Sequence, residues 1–236
     1  MTIKNEKRAM YEEALVNLIV NNQALITFQC TPENLNELAT GYLYSRGLIR
    51  GLGDILEKNI SNNKEKIFFT IKELAAEKEY VLPYELNKQR VKDFRIRGSK
   101  LQVSLRDIQK AFQEMCQSAV LYKETGGIHC AALADKGGLI ICCEDISRHN
   151  AVDKVIGKGL LMELDLTEYY LFTTGRMAAD MVLKAVGSKV PMMVSPSIPS
   201  SMAVEIAKQE EITLVGRISK TPPLIYTYPS RIRMEV

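Results

Sequence analysis

Between Tyr169 and Val215, short apolar runs alternate with stretches of helical periodicity, a spacing that fits a layered α/β arrangement and little else. Tyr169–Thr173, Pro191–Val194 and Ile212–Val215 read as strands, with helices over Met177–Val186 and Met202–Lys208 between them. Such alternation signals parallel strands joined by crossover helices. Leu224–Tyr228 adds a last strand. Upstream, Ile128–Ala134 and Leu139–Cys143 read as strands joined by the tight Lys136-Gly137-Gly138 connection, and Ala151, Val152, Val155, Ile156 and Leu160 then follow a helical period. A further helix opens at Ser104, whose spacing to Asp107 resembles a capping box with Asp in place of Glu. Its positions Leu105, Ile108, Phe112, Met115, Cys116 and Ala119 share one face, which assigns Cys116 to the core.

The first third is less regular. Ala14–Val20 and Ala24–Cys30 read as strands around the turn-prone Asn21-Asn22. Thr31-Pro32-Glu33 predicts an N-cap and first turn for a helix through Leu35, Leu38, Ala39, Tyr42 and Leu43 that stops before Gly47. Lys58–Lys66 reads as a turn and Ile67–Ile71 as a strand. The expected division of the 236 residues is a smaller mixed α+β region over 1–110 and an α/β core over 111–236.

Composition narrows the function classes. With 46% hydrophobic and 25% charged residues, the chain is neither a disordered nor a fibrous sequence. A net charge of +3 is too small a surplus to argue for nucleic acid, although Lys88, Arg90, Lys92, Arg95, Arg97 and Lys100 cluster against Asp93 alone. Only Phe94 accompanies that run, so it is no base-stacking platform. Five cysteines, an odd number at irregular spacings, read as reduced thiols rather than a disulfide framework. No apolar run is long enough for a membrane span, and the charged start is unlike a secretory signal. A cytoplasmic location is the expectation.

Ligands of open α/β sheets bind beyond the carboxyl ends of the strands. Three such ends carry residues suited to a polyanion: Thr174-Gly175-Arg176, the Ser195–Ser201 run with Ser195 and Ser200, and Gly216-Arg217-Ile218-Ser219-Lys220. Glycine admits close approach of the main chain, arginine offers a planar fork to phosphate, and serines before a helix offer hydroxyl and N–H groups. The two histidines add to this. His129 follows Thr125-Gly126-Gly127, and His149 lies in a polar run, Glu144 to Lys154, in which Asp153 stands four residues past it and is placed to orient the imidazole. Metal chemistry is disfavoured: Cys142 and Cys143, adjacent on a strand, point to opposite faces, and His129-Cys130 lacks a second cysteine at zinc spacing.

These segments resemble the formate dehydrogenase accessory protein (FdhD) family, which carries sulfur to the molybdenum cofactor. The likeness runs in order through Cys30-Thr31-Pro32, Glu37-Leu38-Ala39, Gly41-Tyr42-Leu43, Thr125-Gly126-Gly127 with His129, and Glu144-Asp145. It continues through Arg148-His149-Asn150-Ala151-Val152-Asp153-Lys154, Gly175-Arg176, Ser195–Ala203, Ile212-Thr213-Leu214-Val215-Gly216 and Ile225-Tyr226-Thr227.

The resemblance implies a cytidine-deaminase-like three-layer α/β core without zinc, a homodimer, and a site for bis-molybdopterin guanine dinucleotide, with a guanine nucleotide as a possible surrogate. It implies cofactor contacts along Arg217-Ile218-Ser219-Lys220-Thr221-Pro222, and a cysteine desulfurase and a formate dehydrogenase as partners. Together with the strand ends, the residues expected to bind are those six with Gly175, Arg176, Ser195, Ser200, His129, Arg148, His149, Asp153 and Lys154.

Three positions depart from the family pattern. Arg217 replaces the usual aromatic, and Ser147 the usual glycine before Arg148. The Cys-Gly-x-Cys pair that bears the persulfide is missing, for no cysteine lies between Cys30 and Cys116 and the corresponding segment, near Arg95–Lys100, is basic. Two readings follow: a sulfurtransferase whose carrier thiol has moved to Cys130, Cys142 or Cys143, or a cofactor-binding homologue that moves no sulfur. A hydrolase built on His149 and Asp153 lacks a nucleophile.

Overall fold

The computed structural model describes residues 10–72 and 99–233. The basic run from Lys88 to Arg97, and with it most of the segment matching the family's cysteine pair, lies outside them. The element order is β1 (Ala14–Val20), β2 (Gln23–Cys30), α1 (Leu35–Ser45), β3 (Ile55–Ile60), β4 (Lys66–Ile71), β5 (Val103–Ser104), α2 (Leu105–Ser118) and α3 (Val120–Thr125). There follow β6 (His129–Asp135), β7 (Gly138–Asp145), α4 (Arg148–Leu161), β8 (Tyr170–Thr173), α5 (Ala179–Gly187), β9 (Met192–Val194), α6 (Ser201–Gln209), β10 (Thr213–Gly216), β11 (Leu224–Thr227) and β12 (Ile232–Arg233).

A six-stranded sheet of order β11-β10-β9-β8-β6-β7 forms the centre. β8, β9 and β10 are parallel, whereas β6 runs antiparallel to both β7 and β8. Alternate side chains sort onto its two faces, as a pleat requires. Ala131, Leu133, Ile141, Cys143, Leu171, Met193 and Leu214 pack on α4, α5 and α6, while Cys130, Ala132, Tyr170, Phe172, Met192, Val194 and Val215 pack on α2. The expected α/β class and three-layer core are thus present. Ser104 caps α2 as its spacing predicts, accepting a hydrogen bond from the Asp107 amide. The division expected near residue 110 falls inside this helix, whose Ile108, Ala111 and Met115 belong to the core layer.

The N-terminal strands make a second sheet of order β2-β1-β4-β3, with Asn21 and Asn22 at positive φ in the tight turn. α1 lies between the two sheets. Leu35, Leu38, Ala39 and Leu43 face Val16, Leu18, Ile67 and Phe69 of the small sheet. The opposite side of α1 meets α4 main chain to main chain, because Gly41 and Gly157 face each other and a Cβ on either would overlap the partner helix's backbone.

Two local expectations are corrected. Ile55–Ile60 is a strand, so the turn is confined to residues 61–65. None of its residues is fully buried, and Leu56-Glu57-Lys58-Asn59 carries no alternation for a pattern to report. Asn34, in the left-handed region, occupies the N-cap of α1 rather than Thr31, whose hydroxyl is committed to Asp145 and Lys154.

Candidate functional site

Topology brings the three strand exits to one edge. β8, β9 and β10 all end there, antiparallel β6 begins there at His129, and β7 ends there at Asp145. The exits are tied together. Ser195 Oγ donates to the Gly175 carbonyl at 2.8 Å, and the Arg217 and Ile218 amides donate to Ser197 and Ser195 carbonyls at 3.0 and 3.2 Å. Ser200 caps α6 by accepting from the Ala203 amide. Because α4, α5 and α6 each start where a strand leaves the sheet, their positive N-terminal ends open on this same rim.

His129 lies half-buried at the rim, its Nδ1 3.3 Å from Thr174 Oγ1. Arg148 stretches across Gly175, where any Cβ would strike its side chain. The Arg148 Nε is buried and has no hydrogen-bond partner, an open donor valence directed at no protein group. Arg176, Arg217 and Lys220 are exposed, and none of these four cations pairs with a carboxylate among the described residues. Ser219, Thr221 and Pro222 are exposed beside them, while Ile218 is buried against the α2 side of the sheet. The assembly is a ledge with a surplus of unpaired cations, chemically suited to phosphate groups.

Not every expected residue reaches the ledge. Asp153 and Lys154 are 1% and 0% exposed, inside the molecule. Asp153 accepts from Ser45 Oγ at 3.1 Å and pairs with Lys184 and Arg46 instead of orienting His149. That role belongs to Asp180, whose Oδ2 is 3.3 Å from His149 Nε2. The i to i+4 spacing is right, but α4 turns Asp153 towards α1 while its first turn stays beside α5. Lys154 holds Asp145 at 2.7 Å and donates to Thr31. Sequence reasoning places Thr174 in a strand exit without its contact to His129, and it misses Asp180, for which the one available signal is an acid in the first turn of a helix. Two clefts, of about 330 and about 470 Å³, lie elsewhere, lined by Ser99–Gln102 with Tyr228 and Arg231, and by Pro32–Glu37 with Ile60 and Lys64.

Burial first, and the neighbouring Arg148, push the His129 imidazole below its ordinary range, with Asp145 opposing. Burial also lowers His149 despite Asp180. Both rings are therefore neutral at pH 7 and act as hydrogen-bonding groups. A base whose folded pKa is lowered makes the unfolded chain bind protons first on acidification. Stability should fall as pH drops through about 6.5 and level off below the folded values. Melting temperatures of the H129N/H149N double variant should fall less than wild type between about pH 7.5 and about pH 5.5; equal losses would refute the assignment.

All five thiols are free. Cys30, Cys130 and Cys143 are buried; Cys116, on α2, and Cys142, on the sheet face beneath it, are half-buried. No group of three or more His, Cys, Asp or Glu side chains suited to a metal ion occurs among the described residues. No helix among them is long and apolar enough to cross a membrane.

The sequence profile of the FdhD/NarQ family matches residues 11–233. The sulfur carrier protein FdhD of Methanothermobacter thermautotrophicus is 34% identical over 237 residues, covering 98% of this chain and 95% of that protein. The Bacillus subtilis protein of the same name is 29% identical, covering 95% and 90%. A crystal structure from Desulfotalea psychrophila, described provisionally as a formate dehydrogenase accessory protein, superposes with a TM-score of 0.75 at 26% identity, covering 94% of this chain and 89% of that one.

Proposed function

The chain belongs to the FdhD/NarQ family, and from that premise we propose that it is a maturation factor for formate dehydrogenase that binds bis-molybdopterin guanine dinucleotide on the ledge and delivers sulfur to it from a cysteine desulfurase. The observation that carries the cofactor part is the set of unpaired cations at the strand ends, above all the orphaned Arg148 Nε. The residues present fit a phosphate-rich dinucleotide. Arg176, Arg217 and Lys220 would hold its phosphates, Arg148 would reach across Gly175, and the N-terminal ends of α4, α5 and α6 would add their positive potential. Bound, the group supplies the molybdenum centre that receives sulfur. Ser195 has both hydrogen-bonding roles filled within the protein, by the Gly175 carbonyl and the Ser197 amide, so its part is to hold two exits in register.

Titration calorimetry with guanosine diphosphate as the probe tests this reading. Loss of a charge-assisted phosphate contact costs about 1.5–3 kcal/mol, so R176A/R217A should weaken binding roughly tenfold or more. Affinity should also fall as salt rises. Wild type that fails to bind the nucleotide, or a double variant that binds it equally well, would sink the ledge as a cofactor site. The missing cysteine pair favours a second reading, a cofactor-binding homologue that moves no sulfur. What separates the two is whether any thiol of this chain accepts sulfur.

A further inference from the structure

Three thiols lie on the α2 side of the central sheet, and two of them touch. Cys130 on β6 and Cys142 on β7 are diagonal neighbours, since Ala132 stands opposite Cys142 and Glu144 opposite Cys130. Their Sγ atoms are 3.2 Å apart. Cys142 is half-buried on the edge strand of the sheet, whereas Cys130 is fully enclosed. The pair is therefore an outer and an inner thiol. It also borders the ledge: Cys130 follows His129, donates its amide to the Thr174 hydroxyl while its carbonyl accepts from the Thr174 amide, and shares an apolar layer with Ile218.

The electrostatics separate the five thiols. Burial pushes Cys30 and Cys143 up to about 12, and burial with the nearby Cys142 raises Cys116. The hydrogen bond between the pair raises Cys130, where burial adds to it, and lowers Cys142, the only thiol of the chain that moves down, against the opposing effect of burial. The outer sulfur keeps partial contact with solvent, so of the two it is the one that ionises more readily, with the inner S–H as donor to it.

We propose that Cys142 is the thiol on which this chain accepts a sulfane sulfur, and that Cys130 is the thiol that closes on it. The proposal rests on the carrier reading above and assigns its site. The donor is a persulfide, R–S–SH. The Cys142 thiolate attacks its outer sulfur, the donor S–S bond breaks, R–S⁻ leaves, and Cys142 becomes Cys142–S–SH. An acceptor thiolate or sulfide takes that outer sulfur in the same way and returns Cys142 as thiolate. With no acceptor, Cys130 loses its proton and attacks the Cys142 Sγ. Hydrosulfide leaves with two electrons, and the two thiols are oxidised to a disulfide. An S–S bond of about 2.05 Å asks the two sulfurs to approach by about 1 Å. A dithiol reductant resets the pair.

The test treats the full chain with inorganic polysulfide without oxygen, then follows intact mass, peptide maps and released hydrosulfide. Wild type should gain one sulfur on the peptide bearing Cys142, then convert to a species short of two hydrogens as hydrosulfide appears. C142S should lose the adduct, C116S and C143S should keep it, and C130S should hold it without closing. The wild-type peptide map locates the sulfur even if a variant fails to fold. Sulfur mapped to another cysteine overturns the assignment while leaving the carrier reading intact. A wild-type adduct that persists as long as that of C130S overturns the closing role of Cys130. A wild type that takes no sulfur on any thiol overturns both and leaves the binding homologue.

Discussion

K154M should lose about 3–5 kcal/mol of folding stability, a drop of about 6–20 °C in melting temperature for a chain of this size. Lys154 is fully buried, its Nζ 2.7 Å from Asp145 Oδ2, and it donates to the Thr31 hydroxyl at 2.7 Å and carbonyl at 3.1 Å. Asp145 in turn accepts from the Thr31 amide, the Ser147 amide and Asn150 Nδ2. Methionine fills nearly the same volume, so no cavity confounds the result and what remains is a carboxylate sealed away from water without its cation. Adding D145N removes that charge, and K154M/D145N should recover part of the loss. Urea denaturation of the two variants and wild type measures the coupling. A single-variant loss below about 1 kcal/mol would show that the pair is open to solvent.

G157A should be as damaging by a different route. In an exposed helix interior, alanine in place of glycine gains roughly 0.5–1 kcal/mol. At residue 157 the added methyl group meets the Glu37 carbonyl and the Gly41 amide, and main chain cannot rotate aside as a side chain can. Overpacking commonly costs about 1–3 kcal/mol, and a backbone collision between two helices should exceed it. G41A should behave alike, by collision with the Asp153 carbonyl. Gly53, where an added methyl group would meet nothing within 4 Å, is the matched control, and G53A should be neutral. Soluble yield and thermal melting distinguish the three. A G157A protein as stable as wild type would refute the crossing.

How much is legible in the sequence follows from how local each signal is. The strands after residue 128 can be read because β6 and β8 are apolar on both faces, and α2 can be read because Ser104 and Asp107 lie three apart. The ledge is legible for a similar reason: parallel neighbours put their exits side by side. What escapes is settled between segments far apart in the chain. Helical spacing groups Asp153 with His149, yet its hydrogen-bond partner Ser45 is 108 residues away. Thr31 has the form of a helix cap, yet it serves a buried lysine that is 123 residues away. The Cys130–Cys142 contact depends on hairpin register, including the bulge between Leu133 and Ala134, which no composition rule supplies.

The crossing of α1 and α4 also sets an order of events during synthesis. The small N-terminal sheet and α1 are complete while the helix that α1 must meet is still unmade, and the Ser45–Asp153 bond waits for 108 further residues. At about 5–20 residues per second, the ribosome needs roughly 5–20 s for that stretch. For that interval the nascent chain shows the face of α1 destined for α4. Leucines would make such a waiting surface adhesive, but its line of close approach is formed by Glu37, Gly41 and Ser45, with Tyr44 beside them, while Leu35, Leu38 and Leu43 are already turned against the strands made before and after them. The glycines that let two backbones touch in the finished protein thus also keep its first-made part from sticking to its neighbours on a polysome.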